Sequence, residues 1–359
     1  MRTGKISEAV LKRSVLKLIE NRHSENMAGP EVGRDAALIR SGSSDADFMM
    51  AASVSPDIAA SLQERVILTV QTAVNNLAAE GAVPLGTELQ ILLPEDADEQ
   101  DLKTIMRTAE DTAAKLAMHI LGGHTAVCPS VHRSMVAVTA IGKRFTDADV
   151  SRIPLTEQGL SGKTSDKHSI VSGSSLDTRQ ISYADKEIVV TKSVGMAAVM
   201  LLAGEKGKEL SERFTQDIAG APLHFLDELS VLPEAKITSR DSGTLLMHDL
   251  SEGGVFGALW EMAERAGTGL DIQVRQIPIR QETVEISEVF DLNPYQSLSQ
   301  GSLMILTESG EGLVQKLMEA GIPAAVIGRT TSEKARILRN RDEVRYLDKP
   351  QQDGIYSVL

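Results

Sequence analysis

Each half of this chain sets a pair of glycines beside an apolar run, and that duplication restricts the fold more than any other feature of the sequence. In the first half Gly122-Gly123-His124-Thr125 stands between a helical stretch and a strand-like one. In the second, Met247-His248-Asp249-Leu250-Ser251-Glu252-Gly253-Gly254 puts a carboxylate and two glycines between a buried run and a helix. Glycine loops at such junctions offer backbone N–H groups to a phosphate. Comparable equipment in both halves implies a two-domain α/β chain with a nucleotide site.

The length agrees, because 359 residues fit about two domains of roughly 150 residues and a connector. Hydrophobic residues make up 42% but aromatics only 3%, so the cores must be aliphatic, which favours layered helices and sheets. With 37 basic against 50 acidic residues the net charge is −13, which repels phosphate backbones and anionic lipid; neither nucleic acid nor a membrane is an expected partner. The single thiol, Cys128, excludes an intramolecular disulfide and a cysteine zinc site, and a reducing cytoplasm is expected. No apolar run approaches the roughly 20 residues of a membrane span, and the N-terminus leads into a charged amphipathic helix rather than a secretory signal.

Hydrophobic spacing orders the rest. Val66, Val70, Ala73, Val74, Leu77 and Ala78 mark a long core-facing helix stopped at Gly81. Leu89 to Leu93 reads as a buried strand ending at Pro94, 101–119 as a second helix, and Met135 to Ile141 as a β-branched strand. Between about 145 and 186 the apolar period is lost, giving an N-terminal domain over 1–145, a linker over 146–186 and a C-terminal domain over 187–359. That linker contains Ser161-Gly162-Lys163-Thr164, similar to the end of a P-loop, but Glu157 stands where the required glycine belongs and no buried strand precedes it, so no Walker site is expected. The second domain opens with the strand Ile188 to Thr191 and a helix from Met196 to Ala203, and continues to a strand over Ala324 to Ile327.

Six segments taken in order carry a family resemblance. They are Val32-Gly33-Arg34-Asp35-Ala36-Ala37, the run Val74 to Gly86, Gly122-Gly123-His124-Thr125, Thr191-Lys192-Ser193-Val194-Gly195, His248 to Gly254, and Gly328-Arg329. Together they resemble the PurM-like superfamily, in its AIR synthase-related, HypE-like branch. The resemblance implies an α/β N-terminal domain that dimerises through its sheet and an α/β C-terminal domain. It also implies ATP with a divalent metal, Mg²⁺, bound along the domain and subunit interface and used to activate a small-molecule or protein substrate by phosphorylation. Carried over residue by residue, nucleotide contacts fall on Asp35, Asn76, Gly122, Gly123, His124, Thr125, Lys192, Asp249, Gly253 and Gly254, and metal ligands on Asp35, Asp57 and Asp249.

The chain also departs from that pattern. It has Ser55 before Pro56 where relatives usually carry Asp, Asn75-Asn76 where they carry Asn-Asp, and Ala126 after the Gly-Gly-His-Thr segment. A triphosphate and its Mg²⁺ need hard oxygen ligands. Fewer carboxylates imply a partly degraded metal site, and a non-catalytic homodimeric scaffold is the alternative reading. The sequence ends Asp353-Gly354-Ile355-Tyr356-Ser357-Val358-Leu359, without the terminal cysteine that carries the carbamoyl or cyano group in HypE proteins, so that thiol chemistry is not expected.

Plainer roles exist for the same residues. Asp249 and Ser251 are suited to cap the following helix, Gly122 and Gly123 to form a tight turn, and Asp35 to an Asx-turn. His124 and His248 fit structural hydrogen bonding, Lys192 a solvated strand end, and Cys128 an unreactive position. Arg329, Lys334, Arg336, Arg339, Arg341 and Arg345, interleaved with acids, read as a charged hairpin surface.

Overall fold

The computed structural model describes residue 5 and residues 7–19, 26–28, 30–39, 47–145 and 182–359. The P-loop-like segment and most of the expected linker lie outside the described residues. Two sheets organise the chain. The first contains β1 (Asn26–Ala28), β2 (Ala37–Ile39), β3 (Phe48–Val54), β4 (Ala82–Leu93), β5 (His119–Val127) and β6 (Met135–Arg144), in the order β1-β2-β3-β6-β4-β5. Only β4 and β5 run parallel; the other neighbours are antiparallel. The second contains β7 (Glu187–Thr191), β8 (Thr244–Asp249), β9 (Gly269–Gln273), β10 (Leu303–Thr307), β11 (Ala324–Thr331), β12 (Arg336–Asn340) and β13 (Glu343–Tyr346). Its order is β13-β12-β9-β11-β7-β10-β8, which leaves β8 at one edge.

The helix Leu62–Ala79 explains how the two sheets share an interior. Its apolar residues recur around most of its circumference, and Val66, Val70, Ala73, Val74 and Leu77 are all fully buried. A surface helix shows one apolar stripe; one that is apolar nearly all round must be covered on several sides. It packs on β3, β4 and β6 and touches β8 and the helix Leu232–Thr238 of the second half. A capping box closes its start, with Ser61 Oγ accepting from the Glu64 N–H and the Glu64 carboxylate accepting from the Ser61 N–H. One aliphatic core therefore runs from Ile91 and Val138 through this helix to Val189, Leu303 and Ile305.

A fully buried amide sits in that seam. Asn75 Nδ2 donates to the Leu229 carbonyl at 2.8 Å, and Asn75 Oδ1 accepts from the Val231 N–H at 3.1 Å. Gln71 Nε2 also donates to that oxygen, so the buried amide is well satisfied.

Among the described residues the first sheet has one face under helices and one face without them. Phe48, Val54 and Met135 are exposed and share that second face by register, and Leu121 is exposed at the β5 bulge. The helix expected over 101–119 is shorter: it runs Glu99–Lys115, Ala117 takes a left-handed φ of 54°, and His119 already begins β5. The charged hairpin is present as β12 and β13.

Candidate functional site

Strand β8 ends at Asp249, and the chain then turns through Leu250 to Gly253 into the helix Gly254–Ala266. Gly253 and Gly254 both take positive φ, 82° and 60°. A Cβ on Gly254 would lie 2.6 Å from the Tyr295 carbonyl oxygen, so no other residue fits there. The expected caps are absent: the N-cap is Gly253 and no side chain caps this helix. Asp249 and Ser251 thus do not serve that role, because the two left-handed glycines point the turn elsewhere.

Asp249 is 3% exposed and faces the first half of the chain. Asn76, with its amide nitrogen turned toward the carboxylate, donates to Asp249 Oδ1 at 2.9 Å and to the Thr72 carbonyl at 3.2 Å. The neighbouring His248 is clamped between two acids, with Nδ1 2.6 Å from Asp35 Oδ2 and Nε2 3.0 Å from Glu261 Oε2. Lys5 Nζ also pairs with Glu261, and the Lys5 N–H donates to Glu252 Oε2 at 2.8 Å.

Burial opposes the charge on His248, but Asp35 and Glu261 outweigh it and push the imidazole up to about 10, so both ring nitrogens donate at neutral pH. Burial also opposes the charge on Glu261, yet Lys5 and the imidazolium bring that carboxyl down to about 2. Asp249 goes the other way. Burial first, and the nearby Asp35 carboxylate second, raise it to about 7.

A second tie holds the Asp35 loop. Arg265 forms a two-pronged pair with Glu80 at 2.7 and 3.0 Å and donates to the Gly33 carbonyl at 3.1 Å. Glu261 and Arg265 were not evident from the sequence. Their signal was present as opposite charges four residues apart on a largely apolar helix, which places them on one face.

Two cavities meet at this cluster. One, of about 360 Å³, is lined by Asp35, Thr72, Asn76, His248, Glu252 and Gln300 among others, and it opens beside Ala52, Ser53 and Val54 of β3. It fits there because β2 pairs only with Phe48 to Met50, and among the described residues no strand pairs with the rest of that β3 edge. The other, of about 420 Å³, lies under the helix Glu8–Ser14 and the segment 350–353 and shares Lys5, Asp35 and Glu252 with the first.

The structure brings Asp35, Asn76 and Asp249 together with His248, and leaves four other expectations apart. Asp57 lies past the end of β3 with its side chain 78% exposed, 3.5 Å from Arg133, and does not join Asp35 and Asp249. Lys192 does not face the cleft: its ammonium binds Glu234 Oε1 at 2.7 Å and the Glu228 and Ser230 carbonyls at 2.8 and 2.7 Å, the partners a buried cation requires. The Gly253 N–H is already taken by Asp353 Oδ2 at 3.1 Å, and the Gly254 N–H by the Ser251 carbonyl, so a phosphate at this loop must compete with a carboxylate. Burial raises Asp353 to about 6 against the hydrogen bonds from Ile355 and Gly253.

The fourth difference concerns Gly122, Gly123, His124 and Thr125, which form no turn. They lie inside β5, exposed, at the far edge of the first sheet. Gly123 has φ 152°, and a Cβ there would sit 1.9 Å from the Leu89 carbonyl oxygen, next to the register shift at Thr87 and Glu88. Three strand spacings, roughly 14 Å, separate this edge from β3. Within one chain the glycine pair does not line the cavity.

A divalent cation can be tested against these donors. Among the described residues no group of three or more His, Cys, Asp or Glu side chains is placed to hold a metal. Mg²⁺, however, is commonly held by one or two carboxylates with water and phosphate oxygens. Burial first, and the neighbouring Asp35 carboxylate second, raise Asp249, and a cation shared by the two acids would offset that charge crowding. The donor set therefore fits one such ion that is completed by a ligand.

Comparison with known proteins agrees with this architecture. The chain belongs to the AIR synthase related proteins, matching their N-terminal domain over residues 33–143 and their C-terminal domain over residues 184–339. Within that family it is PurM-like and HypE-like. It is 26% identical over 360 residues to a putative hydrogenase expression/formation protein of Methanocaldococcus jannaschii, covering 99% of this chain and 97% of that one. It is 25% identical over 278 residues to the carbamoyl dehydratase HypE of Rhodobacter capsulatus, covering 76% and 72%. The fold is shared with HypE in a HypE–HypF complex at TM-score 0.68 and 16% identity, over 95% of this chain and all of that one. It is also shared with a HypE in complex with ATP, at TM-score 0.63, 16% identity and 98% and 97% coverage. A ThiL protein complexed with AMPPCP and TMP gives TM-score 0.66, 14% identity and 96% and 97% coverage.

Proposed function

We propose that this protein binds ATP in the cleft between β3, the helix Leu62–Ala79 and the β8 loop, and uses it to activate a substrate by phosphorylation, as a HypE-like protein acting in the cytoplasm. The observation that carries the reading is the meeting of Asp35 and Asn76 at one cavity beside a buried imidazolium, with Asp249 buried behind Asn76 and hydrogen-bonded to it, three distant parts of the sequence brought together. Asp35 and Asp249 would hold Mg²⁺, which when bound neutralises polyphosphate charge and orients it for transfer. His248 donates to Asp35 and fixes the direction of its carboxylate; Asn76 does the same for Asp249. Lys5, at the junction of the two cavities, adds a cation beside the incoming phosphates.

The exposed paired-glycine strand gains a role if two chains associate through the second face of the first sheet. Phe48, Val54, Leu121 and Met135 leave large apolar side chains exposed on the first sheet, and exposed apolar surface of this kind marks an interface. In a homodimer, with the chain divided into domains 1–145 and 187–359 about the 146–186 segment, Gly122 to Thr125 of one protomer would reach the cleft of the other. A partner protein is also expected, since the HypE structure of similar fold was obtained with HypF. One observation favours the scaffold reading instead: Asp353 occupies the Gly253 N–H that a phosphate would use.

Sedimentation equilibrium with calorimetry distinguishes these. The enzyme reading expects a dimer that binds one Mg·ATP per chain, with binding abolished in Asp35→Asn. A monomer, or no heat at millimolar Mg·ATP, refutes it.

A further inference from the structure

Gln300 lines the cleft cavity and is only 6% exposed, yet its side-chain carbonyl has no hydrogen-bond partner among the described residues. Its Nε2 donates to Thr72 Oγ1 at 3.3 Å, and that hydroxyl in turn donates to the Leu68 carbonyl at 2.8 Å. The amide is thus held at one end and unsatisfied at the other. Neighbouring wall hydroxyls are engaged: Thr69 Oγ1 donates to the Arg65 carbonyl and Ser53 Oγ to the Thr69 carbonyl, each at 2.6 Å. A buried acceptor without a donor is unfavourable until something completes it.

Position narrows what completes it. The cavity follows the helix Leu62–Ala79 from Leu68 to Asn76, eight residues or about 12 Å. At the Asn76 end stand Asp35, His248 and, just beneath, Asp249; at the Leu68 end Leu68 and Leu298 belong to an apolar cluster with Ile58. Thr72 and Gln300 lie midway, about 6 Å from either end. A nucleotide whose polyphosphate lies at the charged end and whose base lies at the apolar end has its sugar at the middle.

We propose that Gln300 recognises the sugar of the bound nucleotide, its side-chain carbonyl accepting a hydrogen bond from a ribose hydroxyl and so setting a preference for ribonucleotides over deoxyribonucleotides. This rests on the nucleotide reading above and adds to it the residue that selects the ligand. Thr72 is a positioning residue, acting through the bond that holds Nε2.

The test is calorimetric titration of the full-length protein with ATP, 2′-deoxyATP and 3′-deoxyATP in the presence of Mg²⁺, for the wild type, Gln300→Leu and Thr72→Val. The wild type is expected to bind at least one deoxy analogue about tenfold or more weakly than ATP, since a site built to bond a hydroxyl rejects a ligand lacking it. Gln300→Leu is expected to weaken ATP to the level of that analogue while leaving the analogue unchanged. Thr72→Val, which leaves Gln300 in place but unanchored, should lower the ratio partway. Melting curves establish that the variants are folded; if Gln300→Leu is not, Gln300→Met and Thr72→Val decide. Equal affinity of the wild type for all three nucleotides, or an unchanged ratio in the variants, overturns the inference and leaves the nucleotide site standing. Failure of the wild type to bind any of them overturns both.

Discussion

Replacing Asp249 by asparagine should make the protein more stable while disabling it. The carboxylate is buried, and burial with the adjacent Asp35 charge raises it from 3.8 to about 7. Each tenfold in such an equilibrium corresponds to about 1.4 kcal/mol, so the ionised form carries a penalty of roughly a few kcal/mol. Because the folded state holds its proton more tightly than the unfolded chain, stability falls as pH rises from about 4 to about 7 and stays low above that. Asparagine keeps an oxygen to accept from Asn76 and removes the charge. Thermal melts without metal should therefore show Asp249→Asn above the wild type by several degrees at pH 8, about 1–2 °C for each kcal/mol relieved in a chain of this length. At pH 5 the gap should be roughly half as large, and it should nearly close at about pH 4, where the unfolded chain also begins to hold that proton. Added Mg²⁺ with nucleotide should raise the wild type and not the variant. A variant less stable than the wild type at both pH values would refute the picture of a strained, charge-crowded carboxylate.

Four further outcomes follow from the geometry. Asn75→Ala leaves the Leu229 carbonyl and Val231 N–H without their buried partner and should cost about 2–4 kcal/mol in denaturant unfolding. Gly123→Ala brings a Cβ against the Leu89 carbonyl, so amide exchange should show β5 released from β4 and sedimentation should show loss of the proposed dimer. His248 is raised, so its contribution to stability is complete below about 6.5 and is lost as pH rises through about 10; the destabilisation caused by His248→Ala, read by melting, should shrink across that window. Asp353→Asn removes the charge facing the Gly253 N–H, and calorimetry should find tighter nucleotide binding than in the wild type.

Much of the fold was legible because burial imposes periodicity. Val66, Val70 and Leu77 announce a core helix, and the β-branched run from Met135 announces β6, whatever the tertiary partners. The site was legible only in part. Asp35, Asn76 and Asp249 carried enough resemblance to be grouped, although some 200 residues separate the first from the last. Gly123 misled, because a glycine pair looks alike whether it serves a turn or the close approach of two strands at a bulge. Lys192 misled for a related reason: its spacing from the strand says nothing of Glu234, which meets it only through the fold. Glu261, Arg265, Lys5 and Gln300 act through contacts across 13 to 256 residues of sequence, which no local pattern encodes.

The most direct test is a crystal structure of the protein with Mg²⁺ and a non-hydrolysable ATP analogue. It should show the polyphosphate over Asp35 and Asn76, the metal touching Asp35 and Asp249, and the Gly122 to Thr125 strand of a second protomer closing the cleft. A ligand bound elsewhere, or a dimer with those strands facing solvent, would contradict the account.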